Sequence, residues 1–211
     1  MTSCLSRLPL SLRERIPESL RRLARLGRHV LKKGQASLAI PPELLADCRV
    51  CASRNALVKN LPRQPRVAEV GTYRGDFARH ILAACDPAEL HLIDIDTSLL
   101  DPAVATDSRV SIHEGLSQDM LARFPDDHFD WIYIDGDHSY EGASGDARIA
   151  AAKVKPGGYL VFNDFAHADP YLGAYGVHRA VAEFAVTRGW KFAWWAYEPN
   201  GLYDVALQRP R

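Results

Sequence analysis

The sequence is poor in cysteine, has no net charge and lacks any long apolar run, and each shortage closes off a class of protein. Four cysteines in 211 residues (Cys4, Cys48, Cys51, Cys85) are too few for a disulfide framework at this size. Mean hydropathy is −0.20, and no apolar stretch reaches the ~20 residues of a membrane-spanning helix. No charged-then-apolar leader opens the chain, so the expectation is a cytoplasmic protein with reduced thiols. Internal repeats and low-complexity tracts are absent as well.

Zero net charge, 26 basic against 26 acidic side chains, conceals an asymmetry. Residues 1–34 hold nine Arg and Lys against Glu14 and Glu18, a net of +7, and the remainder carries −7. A basic arm on an acidic body can serve nucleic acid, an anionic surface or the protein's own acidic face. A solvated helix face accounts for it more simply, so no nucleic-acid partner is expected on charge alone.

What is present is a helical start followed by a strand–helix alternation. Ile16, Leu20, Leu23, Val30 and Leu31 recur at near-helical spacing after Pro17, with Gly34 as the stop. A second helix is predicted from Pro42-Glu43 through Cys48, Cys51 and Val58 to before Pro62. Residues 1–62 thus read as a helical appendage and 63–211 as the main domain. The lone Cys48-x-x-Cys51 reads as an apolar helix face, not as a zinc or redox site.

Strands are predicted at 66–71, 89–95, 109–113, 129–135, 157–163, 190–197 and 202–208, and helices near 75–85, 97–105, 116–124, 139–154 and 176–188. Short apolar strands such as Trp131-Ile132-Tyr133-Ile134 imply a sheet buried on both faces. The expected fold is therefore α/β: doubly wound and mostly parallel, with seven strands. Residues 190–208, with Asn200-Gly201 at the turn, close it as an antiparallel hairpin.

In such sheets ligands bind beyond the carboxyl ends of the strands. Each of those ends carries a glycine or an acid: Glu69 to Gly75, Asp94 to Asp96, Gly115 to Ser117, Asp135 to Glu141, and Asn163 to Phe165. Gly71 and Gly75 let backbone approach a ligand at a helix entrance, and Asp94 can accept the hydroxyls of a ribose. Taken singly, each acid could be a helix cap. Together they point to a nucleoside-bearing ligand.

The run Val67-Ala68-Glu69-Val70-Gly71-Thr72-Tyr73-Arg74-Gly75 resembles motif I of class I S-adenosylmethionine-dependent methyltransferases. Phe129 to Gly142 (reading Asp135-Gly136-Asp137-His138-Ser139-Tyr140-Glu141 at its centre), Lys155-Pro156-Gly157-Gly158 and Asn163-Asp164-Phe165 resemble a narrower group. This is the metal-dependent small-molecule O-methyltransferases of the macrocin type, with their cephalosporin-hydroxylase-like relatives. The resemblance covers about residues 65–208. It implies a Rossmann-like fold and S-adenosylmethionine as cofactor. Glu69, Gly71 and Gly75 would hold its methionine part, with Tyr73 of the same turn among the contacts. Asp94 would hold the ribose, and Gly115 with Ser117 the adenine side. Asp135, Asn163 and Asp164 would bind a divalent cation, Mg²⁺ or Mn²⁺, and His138 beside Asp135 would accept the proton. The group more often ends its fifth strand in two aspartates, whereas this chain has Asn163-Asp164. An Asp in place of Asn163 would add anionic charge to a cation site.

The function expected is methyl transfer to a hydroxyl of a small molecule. A hydroxyl is a poor nucleophile until its proton leaves, so a cation that acidifies it and a base that accepts the proton both make chemical sense. The competing readings are a metal-independent methyltransferase and a non-catalytic cofactor- or nucleic-acid-binding module using the basic arm. An NAD-dependent oxidoreductase fits least, because the glycine fingerprint is incomplete. A helical appendage could also make a homo-oligomer.

Overall fold

The computed structural model describes residues 37–169 and 173–211. The basic arm, the helix predicted over residues 17–34, Cys4 and part of the loop around Pro170-Tyr171 lie outside the described residues.

Among the described residues, ten strands and seven helices follow one another: α1 (Pro42–Leu45), β1 (Arg49–Cys51), α2 (Arg54–Val58), β2 (Arg66–Val70), α3 (Asp76–Cys85), β3 (Glu89–Asp94), α4 (Pro102–Ala105), β4 (Val110–Glu114), α5 (Ser117–Ala122), β5 (Phe129–Ile134), α6 (Tyr140–Lys153), β6 (Val154–Phe162), β7 (Ala168–Asp169), β8 (Gly173–Ala174), α7 (Val177–Arg188), β9 (Lys191–Ala196) and β10 (Asp204–Gln208). Eight strands form one sheet in the order β1-β9-β10-β6-β5-β2-β3-β4, and β7-β8 form a small separate ribbon. β10 runs antiparallel to both of its neighbours, β6 and β9, while every other pair in the large sheet is parallel. This is the doubly wound α/β sheet with an antiparallel closing hairpin that the patterning implies.

The eighth strand is a correction. Residues 42–62 do not form one helix. α1 is a single turn, the chain then extends as β1 beside β9 (Arg49 opposite Trp194, Val50 opposite Trp195), and α2 starts afresh. The open edge of β9 offers backbone hydrogen bonds that helical periodicity cannot report. Ser53 restarts the helix by accepting from the Ala56 N–H at 3.2 Å, a capping signal that stands in the sequence. Cys51 consequently sits on a strand, its thiol donating to the Trp195 carbonyl at 3.7 Å, and it shares no helix face with Cys48. Two smaller differences follow from local chemistry. The helix expected over 97–105 shortens to α4, because Pro102 sets its first turn and the Asp101 carboxylate caps the Ala103 N–H at 2.7 Å. The fifth long strand begins at Val154 rather than 157.

Each face of the sheet carries its own core. One packs Ala68, Val70, Phe129, Ile132 and Phe162 under α5, α6 and α7. The other packs Val67, Trp131 and Tyr133 under α2 and α3. Leu57 and Val58 of α2 are fully buried there, so the segment before β2 completes the core. Truncating a buried leucine costs ~2–5 kcal/mol. Leu57→Ala is expected to lower the unfolding free energy within that range in urea titration, and a loss under 1 kcal/mol would show that α2 is dispensable to the core.

Candidate active site

The strand order reverses between β2 and β5, so the crevice lies beyond their carboxyl ends. There the chain turns at Gly71, whose φ of +86° favours glycine and whose place admits no side chain. A Cβ would stand 2.0 Å from the Asp135 carbonyl oxygen. Gly75, also at positive φ, leads into α3, and a Cβ there would meet Leu100 at 2.8 Å. Between them Tyr73, at φ 51°, donates its N–H to the Asp94 carboxylate at 2.7 Å. The other Asp94 oxygen accepts from the Asp96 N–H at 3.2 Å. Gly115 ties to the same strand end, its N–H donating to the Asp94 carbonyl at 2.8 Å.

Glu69 is the most loaded group of the turn. It is 1% exposed, and its Oε2 has no partner among the described residues. Burial drives its carboxyl well above the usual range, the Asp135 and Asp94 charges add to this, and Arg54 opposes it. The Thr72 hydroxyl beside it is likewise buried and unpartnered among the described residues. A buried acceptor and a buried donor left open at one turn suit the amino and carboxylate ends of an amino-acid moiety, as in the methionine part of S-adenosylmethionine.

A second cluster stands at the ends of β5 and β6. His138 Nε2 lies 3.4 Å from Asp135 Oδ1, 3.3 Å from Asn163 Oδ1 and 3.8 Å from Asp164 Oδ2. Its ring stacks on Tyr175 at 4.6 Å and 11°. Burial pulls the imidazole down, but the Asp135 hydrogen bond and the Asp135 and Asp164 charges outweigh it and raise its pKa. The four residues predicted for metal and base thus converge on one point. The cap of α6 is Ser139, accepting from the Gly142 N–H at 3.0 Å, which leaves His138 out of that role.

Ser117 also has a partner within the fold. Its hydroxyl donates to buried Asp146 of α6 at 2.6 Å, so the side chain ties two helices together. Sequence reasoning also missed three residues under the His138 cluster. Asp204 of β10 is fully buried and accepts from the Tyr133 hydroxyl at 2.6 Å and the Asn163 amide at 3.1 Å. Burial lifts its carboxyl to about 7, against the Tyr133 hydrogen bond and the Arg54 charge. Arg54 spreads over the Phe77 ring at 5.0 Å, and against the cost of burial it is held charged by Tyr133, Asp204 and Asp135. These residues come from distant strands and carry no motif. Ile95 and Leu116 were missed too, though they directly follow Asp94 and Gly115. They stand 66% and 60% exposed, apolar surface at the rim where a flat ring could lie.

Residues 68–165 match the family model described as a methyltransferase domain. Among solved structures, the chain resembles an O-methyltransferase family protein from Burkholderia thailandensis (16% identity, TM-score 0.57, covering 74% of this chain and 55% of that one). It is similar to the N-methyltransferase NodS from Bradyrhizobium japonicum, solved with S-adenosyl-L-homocysteine (14% identity, TM-score 0.57, covering 75% and 83%). A third likeness is to an S-adenosylmethionine-dependent methyltransferase from Methanosarcina mazei (11% identity, TM-score 0.57, covering 76% and 99%). No curated protein matches the chain in sequence. The matched segment is thus a methyltransferase domain by its family model, and the fold is the Rossmann-like one of these methyltransferase neighbours. No helix among the described residues is long and apolar enough to cross a membrane.

Asp146 supplies a stability test at this rim. Burial raises its carboxyl to about 6, the Ser117 hydrogen bond opposing. A folded pKa above the unfolded ~3.9 means the folded state holds the proton more tightly, so this group's contribution falls as pH rises from about 4 to about 6 and is flat beyond. Relative to wild type, Asp146→Asn is therefore expected to gain stability between pH 4 and pH 7 in urea unfolding, and a difference independent of pH would refute the assignment.

Proposed function

We propose that the protein methylates a hydroxyl of a small molecule, with His138 as proton acceptor and a Mg²⁺- or Mn²⁺-type cation at Asp135, Asn163 and Asp164. The convergence of three side-chain oxygens and an imidazole nitrogen within 3.3–3.8 Å, beside the cofactor turn, carries this reading. The resemblance of residues 129–142 and 155–165 to the macrocin-type O-methyltransferases supports it.

The cofactor supplies a methyl group made electrophilic by positive sulfur. In this reading Glu69 accepts from its amino group, Thr72 and the Gly71–Gly75 backbone meet its carboxylate, Asp94 takes the ribose hydroxyls, and Ile95 with Leu116 flank the adenine beside Gly115. Holding donor and acceptor in line is itself a large part of the catalysis. Oxygen-only donors without cysteine suit a hard cation, which when bound would acidify and orient the acceptor hydroxyl. His138 Nε2 takes the released proton, and Asp135 and Asp164 stabilise the imidazolium that results. Tyr175, stacked flat on the ring, fixes its plane.

The same distances favour a second reading. His138 by itself answers all three oxygens, so the Asp135–His138 pair could deprotonate the acceptor without a cation.

Asp94→Ala is expected to weaken S-adenosylhomocysteine binding by about 5- to 150-fold in calorimetry. Absence of cofactor binding by the folded wild type would overturn the whole reading. With an acceptor found by screening hydroxylated compounds against labelled S-adenosylmethionine, His138→Ala should cut turnover by ~10²–10⁴-fold while leaving cofactor affinity nearly intact. Exhaustive chelation should abolish turnover and Mg²⁺ restore it. Unchanged turnover in chelator would select the metal-free reading.

A further inference from the structure

At the opposite end of the sheet stands a histidine cluster that the methyltransferase reading does not use. Glu89, which opens β3, His91 and His128, which precedes β5, each bring one ligand atom to within 4.8 Å of the others. Asp94, at the far end of β3, lies five residues on, or ~16 Å at the rise of a strand. His91 Nε2 is 3.2 Å from Glu89 Oε2. Four ligands set tetrahedrally on bonds of ~2.0 Å stand ~3.3 Å apart, so this pair already has the required spacing, with the His128 ligand atom within 4.8 Å of both.

Two further features favour an ion. Behind His91, its Nδ1 meets His113 Nε2 at 3.0 Å. Such a second contact fixes the tautomer and aims Nε2 outward, as ligating histidines commonly require. The rings of Phe124 and Phe129 wall the cluster, lying 5.5 and 4.8 Å from His128 and 4.9 and 5.6 Å from His91.

Positive charge faces the cluster too. Arg66 contacts both Glu89 oxygens at 3.0 Å, and Lys155 and Arg123 stand near His128 and His113. A carboxylate keeps lone pairs beyond those Arg66 occupies. One carboxylate among cations is a poor site for Mg²⁺ or Ca²⁺, which rely on several anionic oxygens. Two imidazoles and one oxygen instead suit a borderline metal.

We propose that Glu89, His91 and His128, with His113 orienting His91, bind one divalent transition-metal ion of the Zn²⁺ class, water completing its shell. Such an ion would staple the start of β3 to the loop before β5, apart from the catalytic crevice.

The test is calorimetric titration of the metal-stripped full chain with Zn²⁺. In Asp164→Ala, which disables the proposed crevice cation site, one site is expected, weakened at least ~100-fold by adding His128→Ala or His91→Ala and ~10- to 100-fold by adding His113→Ala. Zn²⁺ should raise the melting temperature of the wild type and not of His128→Ala. His128→Ala should retain S-adenosylhomocysteine binding, which shows that it folds even if His91→Ala does not. Asp164→Ala separates this site from the crevice and should keep the Zn²⁺ affinity. No saturable binding by wild type, binding indifferent to His91 and His128, or binding lost with Asp164 would each overturn the proposal.

Discussion

The contact between the exit of β2 and the end of β5 decides everything at the crevice. Val70 accepts the Asp135 N–H at 2.8 Å, and Gly71 lies so close to the Asp135 carbonyl that no Cβ fits between them. That single approach sets the Glu69–Gly75 turn next to the Asp135–His138 segment, the two places that the proposed function assigns to cofactor and acceptor. Methyl transfer needs two bound partners aligned within a few tenths of an ångström. A turn and a loop anchored to each other by backbone hydrogen bonds hold that alignment better than side chains on separate loops could.

The same closeness loads the site with negative charge in low dielectric. Glu69 and Asp204 are each nearly or fully buried, Asp135 and Asp164 sit between them and solvent, and Arg54 is the fixed cation named among their electrostatic partners. Burying unpaired carboxylates is expensive, and their raised pKa values express that cost. A crevice of this kind favours ligands that bring positive charge. A sulfonium with its ammonium group, an imidazolium at His138 and a divalent cation all satisfy that demand.

Much of this was legible in the sequence, for reasons that can be named. Strand ends with glycine and acids, from Glu69 to Asn163, are local patterns, and continuous apolar runs such as Trp131 to Ile134 report a parallel sheet buried on both faces directly. β1 was not legible. Its three residues extend only because β9 has an open edge, and their apolar spacing imitates a helix. Arg54, Tyr133 and Asp204 were illegible for a related reason. They meet through pairing of β5, β6 and β10, with α2 laid across them, and no sequence window contains two of them. The bond from Ser117 to buried Asp146 was not legible either, since the two residues lie 29 positions apart on different helices.

Asn163 joins these strands of argument. Its amide nitrogen donates to both the Tyr133 hydroxyl and Asp204, so its Oδ1 turns outward toward His138. Two inward acceptors can be met only by a donor. An aspartate here would offer none unless protonated, and would set its carboxylate against fully buried Asp204. Read from sequence, Asn163 is a weaker cation ligand than an aspartate. In its surroundings it is the residue that satisfies a buried acid below and presents a neutral oxygen above. The charge it withholds from the crevice mouth is already present one layer down, in Asp204.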